Sequence, residues 1–296
     1  MKANNTVTGA APVVKERSNA QKILHRFFSR KVAVAGVIIF TVILFLALFG
    51  DLICPYSPSG VSAKERFFGP TANHIMGTDD MGRDTFARII DGAKLTLGIT
   101  GGAVAIALVF GTTLGLISGY RKGALDTVIS GVMDSLWAFP AIVLAMAINT
   151  ALGASIGNII IAIGIVYIPD FYRVVRSRVI SIREMEYITG AKAIGLNDAK
   201  IIWRYVLPNL LSTLIVQLTL TAAKAVLAEA SLSFLGLGVP LPRASWGTML
   251  KSGYGFMERS IWLSIFPGFF IMLLIMSLNF LGDGLRDALD VRIRAD

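Results

Sequence analysis

The chain has 296 residues, of which 54% are apolar and only 16% are Asp, Glu, Lys or Arg, against roughly 25% charged residues in a soluble domain. Hydrophobicity on this scale excludes a disordered chain, and a single cysteine, Cys54, excludes a disulfide scaffold. The net charge of +9 would suggest nucleic acid in a soluble domain. Here it has a plainer source in basic loops that face the cytoplasm, and no nucleic-acid partner is expected. With His25 and His74 as the only histidines, a Cys/His zinc site is poorly supplied. A polytopic membrane protein remains.

A bilayer core about 30 Å thick needs ~20 mostly apolar helical residues, and six segments qualify. A polar, basic tail over 1–31 precedes them, with a short interfacial helix expected near Ile23–Phe28. The first span is Val32–Cys54; it is too long for a signal-peptide core and no A-x-A site follows, so it reads as an uncleaved anchor. A loop from Pro55 to Lys94 carries Pro55, Pro58, Pro70 and a charged Asp79–Arg88 stretch. The second span, Leu95–Ser118, contains Gly111 and Gly115, a spacing suited to close helix contact. The third is Met133–Leu152 and the fourth Ile156–Val175, with Asp170 and Arg173 near its end. The fifth, Leu207–Leu237, is overlong and carries Lys224 and Glu229; the sixth is Ile261–Leu281. Pro140, Pro169 and Pro267 are expected to kink their helices. Asp134, Asp170, Lys224 and Glu229 lie in or near spans, where an ionisable side chain either serves function or pairs with a neighbouring helix. Lys224 and Glu229 are the candidates for a translocation path.

Orientation follows from Lys and Arg in the loops. The tail, the loop after span two, the loop after span four and the chain end together hold nineteen of the 28, including Lys2, Lys15, Arg17, Arg292 and Arg294. Both termini are therefore expected in the cytoplasm, which agrees with an even number of spans.

The loop between spans four and five is the most informative segment. Met185, Ile188, Ala191 and Ile194 recur at near-helical spacing. Gly195 suits a helix stop, Asn197 or Asp198 an N-cap for a second short helix, and Pro208 either closes that helix or opens the next span. Two short helices are expected at the membrane surface, exposing Gly190, Ala191 and Ala193 beside charges at Glu186, Lys192 and Asp198. Small side chains let another protein approach closely, and the charges can fix its register.

This segment resembles the EAA loop of ABC-importer permeases: Ala191, Gly195 and Leu207-Pro208 fall in register with that pattern, whereas Thr189 stands where the motif has Glu and Gly190 where it usually has Ala. Three further segments are similar to the second permease subunit of dipeptide, oligopeptide and nickel importers. They are Gly77–Asp84 with Arg88 and Gly92-Ala93; Glu229–Gly238 with Trp246–Leu250; and Asn279–Asp290. Asp91 stands where that family more often has Tyr. The resemblance runs from about Ile23 to Arg294.

The resemblance implies an all-α, six-span type I importer fold in a bacterial or archaeal cell membrane. The tail (1–31), the first span with its external loop (32–94) and a five-helix core (95–296) would be its parts. Residues 183–209 would form the ATPase-coupling loop, using Glu186, Tyr187, Thr189, Gly190, Ala191, Lys192, Gly195, Asp198 and Pro208. The implied partners are a homologous second permease, two ATPase subunits that use ATP and Mg, an extracytoplasmic binding protein, received at Asp79, Arg83 and Asp84, and membrane lipid. The residues are compatible with that. A P-loop needs G-x-x-x-x-G-K-[ST], and no glycine here precedes a lysine. No nucleophile–base constellation is present, so the chain is expected to be no enzyme, to bind no cofactor of its own and to hold no metal. A metal chelate such as nickel is the alternative cargo; a self-contained secondary transporter is the alternative of another class, weakened by Lys224 being the only strong charge near mid-span.

Overall fold

The computed structural model describes residues 19–240 and 242–289. Lys2, Lys15 and Arg17 of the tail, and Asp290, Arg292 and Arg294 at the other end, lie outside the described residues. The fold is all helical: α1 (Asn19–Phe28), α2 (Lys31–Ile53), α3 (Thr85–Arg121), α4 (Ala124–Ala138), α5 (Ala141–Leu152), α6 (Ile156–Arg183), α7 (Glu186–Ala193), α8 (Asp198–Ile201), α9 (Leu207–Leu232), α10 (Trp246–Tyr254) and α11 (Trp262–Leu289). Among the described residues, five helices are long and apolar enough to cross a membrane, or six spans if the bent α4–α5 pair counts as one.

Several bounds differ from the sequence expectation for local physical reasons. The second span starts ten residues earlier, at Thr85, because the Asp84 carboxylate caps the helix by accepting the Ala87 N–H at 2.7 Å. The stretch expected as the third span is the end of one helix and the whole of the next, α4 and α5, which meet at 98°. Proline forces the residue before it out of the helical region, and Phe139 is extended (φ −85°, ψ 142°) with Pro140 opening α5. Pro169 and Pro267 instead lie inside unbroken helices. The second short helix of the loop is the beginning of the fifth span: α8 runs through a π-helical turn, Ile202–Val206, into α9, giving one rod from Asp198 that ends in a kink at Gly236 (φ +94°). That wide turn, closed by the Leu207 N–H on the Ile202 carbonyl, lets Pro208 sit in the rod without breaking it. A helix absent from the sequence reading, α10, begins where Ser245 caps Thr248.

The core is built on α3, α6 and α9. Gly111, Gly115 and also Gly119 form a stripe on α3 against Phe171, Val175 and Val179 of α6; a Cβ on any of the three would lie 2.6–2.8 Å from one of those side chains. Helices that close bring many atoms into dispersion contact. On its other side α9 packs against α11, which carries α2 on its flank.

Candidate functional site at the α6–α9 connection

Between α6 and the rod the chain makes a knob. Met185 is extended and starts α7. Ile188 and Ala191 are buried and hold α7 to the body; Ala191 is therefore not one of the exposed small residues the sequence suggested. The helix ends in a Schellman turn: the Leu196 N–H bonds the Ala191 carbonyl at 3.2 Å and the Gly195 N–H the Lys192 carbonyl at 3.0 Å. Gly195 takes φ +81°, which a side chain would strain. Of the two N-cap candidates, Asn197 is the cap, accepting the Lys200 N–H at 2.9 Å.

That leaves the Asp198 carboxylate free for a tertiary role, and it accepts the Tyr120 hydroxyl at 2.7 Å. Tyr120, buried at the end of α3, also has Lys192 Nζ 5.2 Å and the Arg183 guanidinium 5.7 Å from its ring centroid, within the range of cation–π attraction. Lys122 pairs with Glu184 at 3.5 Å. The knob is thus rooted on α3 through Tyr120, a residue that sequence reasoning missed; a tyrosine ahead of Arg121-Lys122 at a span's end was the available signal.

The outward side of the knob is uncovered. Glu186, Tyr187, Thr189, Gly190, Lys192 and Pro208 are exposed, Ile194 is 76% exposed and Trp203 72%. A Cβ added at Gly190 meets nothing within 4 Å, so glycine there costs helix propensity, about 1 kcal/mol, and relieves no clash. A bare apolar and small surface with a charged rim is the composition of a protein-docking site.

The intramembrane candidates separate. Lys224 Nζ lies 2.7 Å from the Asp170 carboxylate and its side chain is 56% exposed. Because α6 continues to Arg183, Asp170 is near the middle of its helix and not at its end. Asp134 pairs with Arg173 at 2.7 Å, and that guanidinium lies 3.8 Å from the Trp137 ring centroid. Glu229 is fully buried, with Ser233 donating to one carboxylate oxygen at 2.8 Å and no partner on the other. It faces no open path in this structure, because Trp246 and Gly247 pack over that end of α9.

The loop before α3 uses its charges internally. Asp79, Arg83 and Asp84 are all buried. Asp79 accepts the N–H groups of Met81 and Arg83 at 2.8 and 2.9 Å and the Arg83 side chain at 2.6 Å. Asp84 caps α3 and bonds His74 at 2.8 Å. These three build the loop, and a docking partner would meet exposed neighbours such as Val61, Ile75 and Met81 instead.

Residues 111–295 match the binding-protein-dependent transport system inner membrane component, and residues 18–72 match the N-terminal transmembrane domain of oligopeptide transport permease C. A dipeptide transport system permease protein of Alkalihalophilus pseudofirmus is 47% identical over 265 residues, 90% of this chain and 87% of that protein. An oligopeptide transport system permease protein of Bacillus subtilis is 36% identical over 269 residues, 91% of this chain and 88% of that one. Inward-facing structures of the MetNI methionine ABC transporter include a chain that superposes with a TM-score of 0.55 at 20% identity, over 68% of this chain and 96% of that one; this likeness concerns the fold.

Proposed function

Because the chain belongs to the inner-membrane components of binding-protein-dependent transport systems, we propose that it is the permease subunit of an ATP-driven importer for di- and oligopeptides. It is a multi-pass membrane protein and a conduit; ATP hydrolysis belongs to partner subunits. In this reading both termini and the knob face the cytoplasm, and a homologous second permease completes the path. Two ATPases, which use ATP and Mg, grip the knob of each permease, and a binding protein delivers the peptide outside.

The observation that carries the reading is the knob's uncovered surface, with Ile194 and Trp203 bare at the end of a rod that enters the core. Closure of the ATPases on ATP moves the knob. The rod and α6 move with it, and the equilibrium shifts between inward- and outward-facing states. Glu186 and Lys192 set the register on the ATPase, and Gly195 holds the knob's shape.

The test is stimulation of ATPase activity by the loaded binding protein, with uptake, in proteoliposomes holding the full complex. Glu186→Ala and Gly195→Val should lower stimulation and uptake together while the complex still assembles. Normal values of both, in both variants, would remove the coupling role.

A further inference from the structure

α6 and α9 run antiparallel, and the pairing of Asp170 with Lys224 fixes their register. Asp170, Val174 and Arg178 recur every four residues on one stripe of α6, as do Thr213, Gln217, Leu220 and Lys224 every three or four on α9. Between the parts of the stripes at Val174–Arg178 and Thr213–Leu220, with Arg286 of α11 on the far side, lies a groove of about 380 Å³; the Asp170–Lys224 pair stands one helical turn beyond its lining. Neither Arg178 nor Arg286 has an acidic partner among the described residues. On the other side of Lys224 the same face of α9 becomes apolar: a groove of about 740 Å³ lies among Leu227, Phe234, Ile142, Met272 and Met276. An ammonium open to lipid is costly, so this face meets water or protein.

Resting on the peptide-import reading, we infer that this face is a track for the peptide's C-terminal carboxylate. The carboxylate exchanges with Asp170 on Lys224 and then passes to Arg178 and Arg286, while apolar side chains occupy the groove beyond. Asp170 keeps a bond from the Trp137 indole at 3.4 Å when Lys224 leaves it, which lowers the cost of the exchange. Lys224 is a specificity-determining residue on this account, because an uncharged chain end would gain nothing from it.

The test uses the full complex in proteoliposomes, with a peptide and its C-terminal amide, each carried by saturating binding protein. Lys224→Met should lower uptake of the free-acid peptide about tenfold, the worth of one charge-assisted hydrogen bond. Uptake of the amide and ATPase stimulation should stay within about twofold, and Lys224→Arg should restore the difference. If the single variant fails to assemble, Lys224→Met with Asp170→Asn removes the stranded carboxylate and reads the same ratio. Separately, Gln217→Cys in a Cys54→Ser background should react with a charged, membrane-impermeant maleimide. Equal loss on both peptides, or no labelling of the Gln217→Cys variant in a complex that transports, would overturn the inference. Absence of ATP-driven uptake by the wild type would overturn the import reading itself.

Discussion

The two ends of the α6–α9 pair are finished differently. At the end away from the knob the chain seals itself: Trp246 is fully buried and donates to the Ile89 carbonyl at 2.9 Å, Gly247 lets α10 lie against Ala230 and Ser233, and Glu229 is closed inside. At the knob, Ile188 and Ala191 anchor one face, and Ile194, Trp203 and Tyr187 stand open. At the knob the bare side chains stand on a built foundation, whereas at the other end the Trp246 face is packed within the one chain, with Leu227 and Leu235 open on the opposite side of α9. Stability should therefore reside at the sealed end and coupling at the knob.

Substitutions can break that contrast. Trp246→Ala should have the largest effect, lowering stability by about 3–5 kcal/mol through an unfilled cavity, read as a fall in thermal unfolding temperature in detergent. Gly195→Val places a β-branched residue at positive φ and should cost about 1–2 kcal/mol locally; the global unfolding temperature should move little, while ATPase stimulation falls. Tyr120→Phe removes one hydrogen bond to Asp198, about 1 kcal/mol, and should raise amide exchange in α7 while leaving α10 unchanged. Ile194→Ser should be neutral for stability, within about 0.5 kcal/mol as for an exposed side chain, yet weaken co-purification of the ATPase. Glu229→Gln, which keeps the Ser233 bond, should leave uptake unchanged; a loss of uptake with normal unfolding would put Glu229 back on the path. If Ile194→Ser destabilised the chain as much as Trp246→Ala, the contrast itself would be wrong.

Much of this layout was legible in the sequence, and for identifiable reasons. α2, α6 and α11 announce themselves by long apolar runs, since hydropathy reports directly on bilayer thickness. Gly195 and Asn197 were readable as cap residues because capping is local chemistry. Pro140 marked its bend but not the size of it, which depends on what α4 and α5 pack against. The early start of α3 was missed because Asp84 was weighed as a surface charge and not as a cap. Burial of Asp79 and Arg83 was invisible because each is the other's partner. The pairings Asp170–Lys224 and Asp126–Arg176 join residues roughly fifty positions apart, and no local pattern encodes them.

Pro208 and the π turn ahead of it have a mechanical meaning. A proline at the foot of a span ordinarily gives a joint, and a joint absorbs displacement as bending. The chain nevertheless stays helical through Ile202–Val206, without a break from Asp198 to Lys224, roughly 39 Å at 1.5 Å per residue. A force applied at one tip is then delivered at the other with little slack. Tightening the π turn to ordinary α-turns with all its residues retained would turn the Lys224 side by about 100°, one residue's share of a 3.6-residue turn, and aim the lysine away from Asp170.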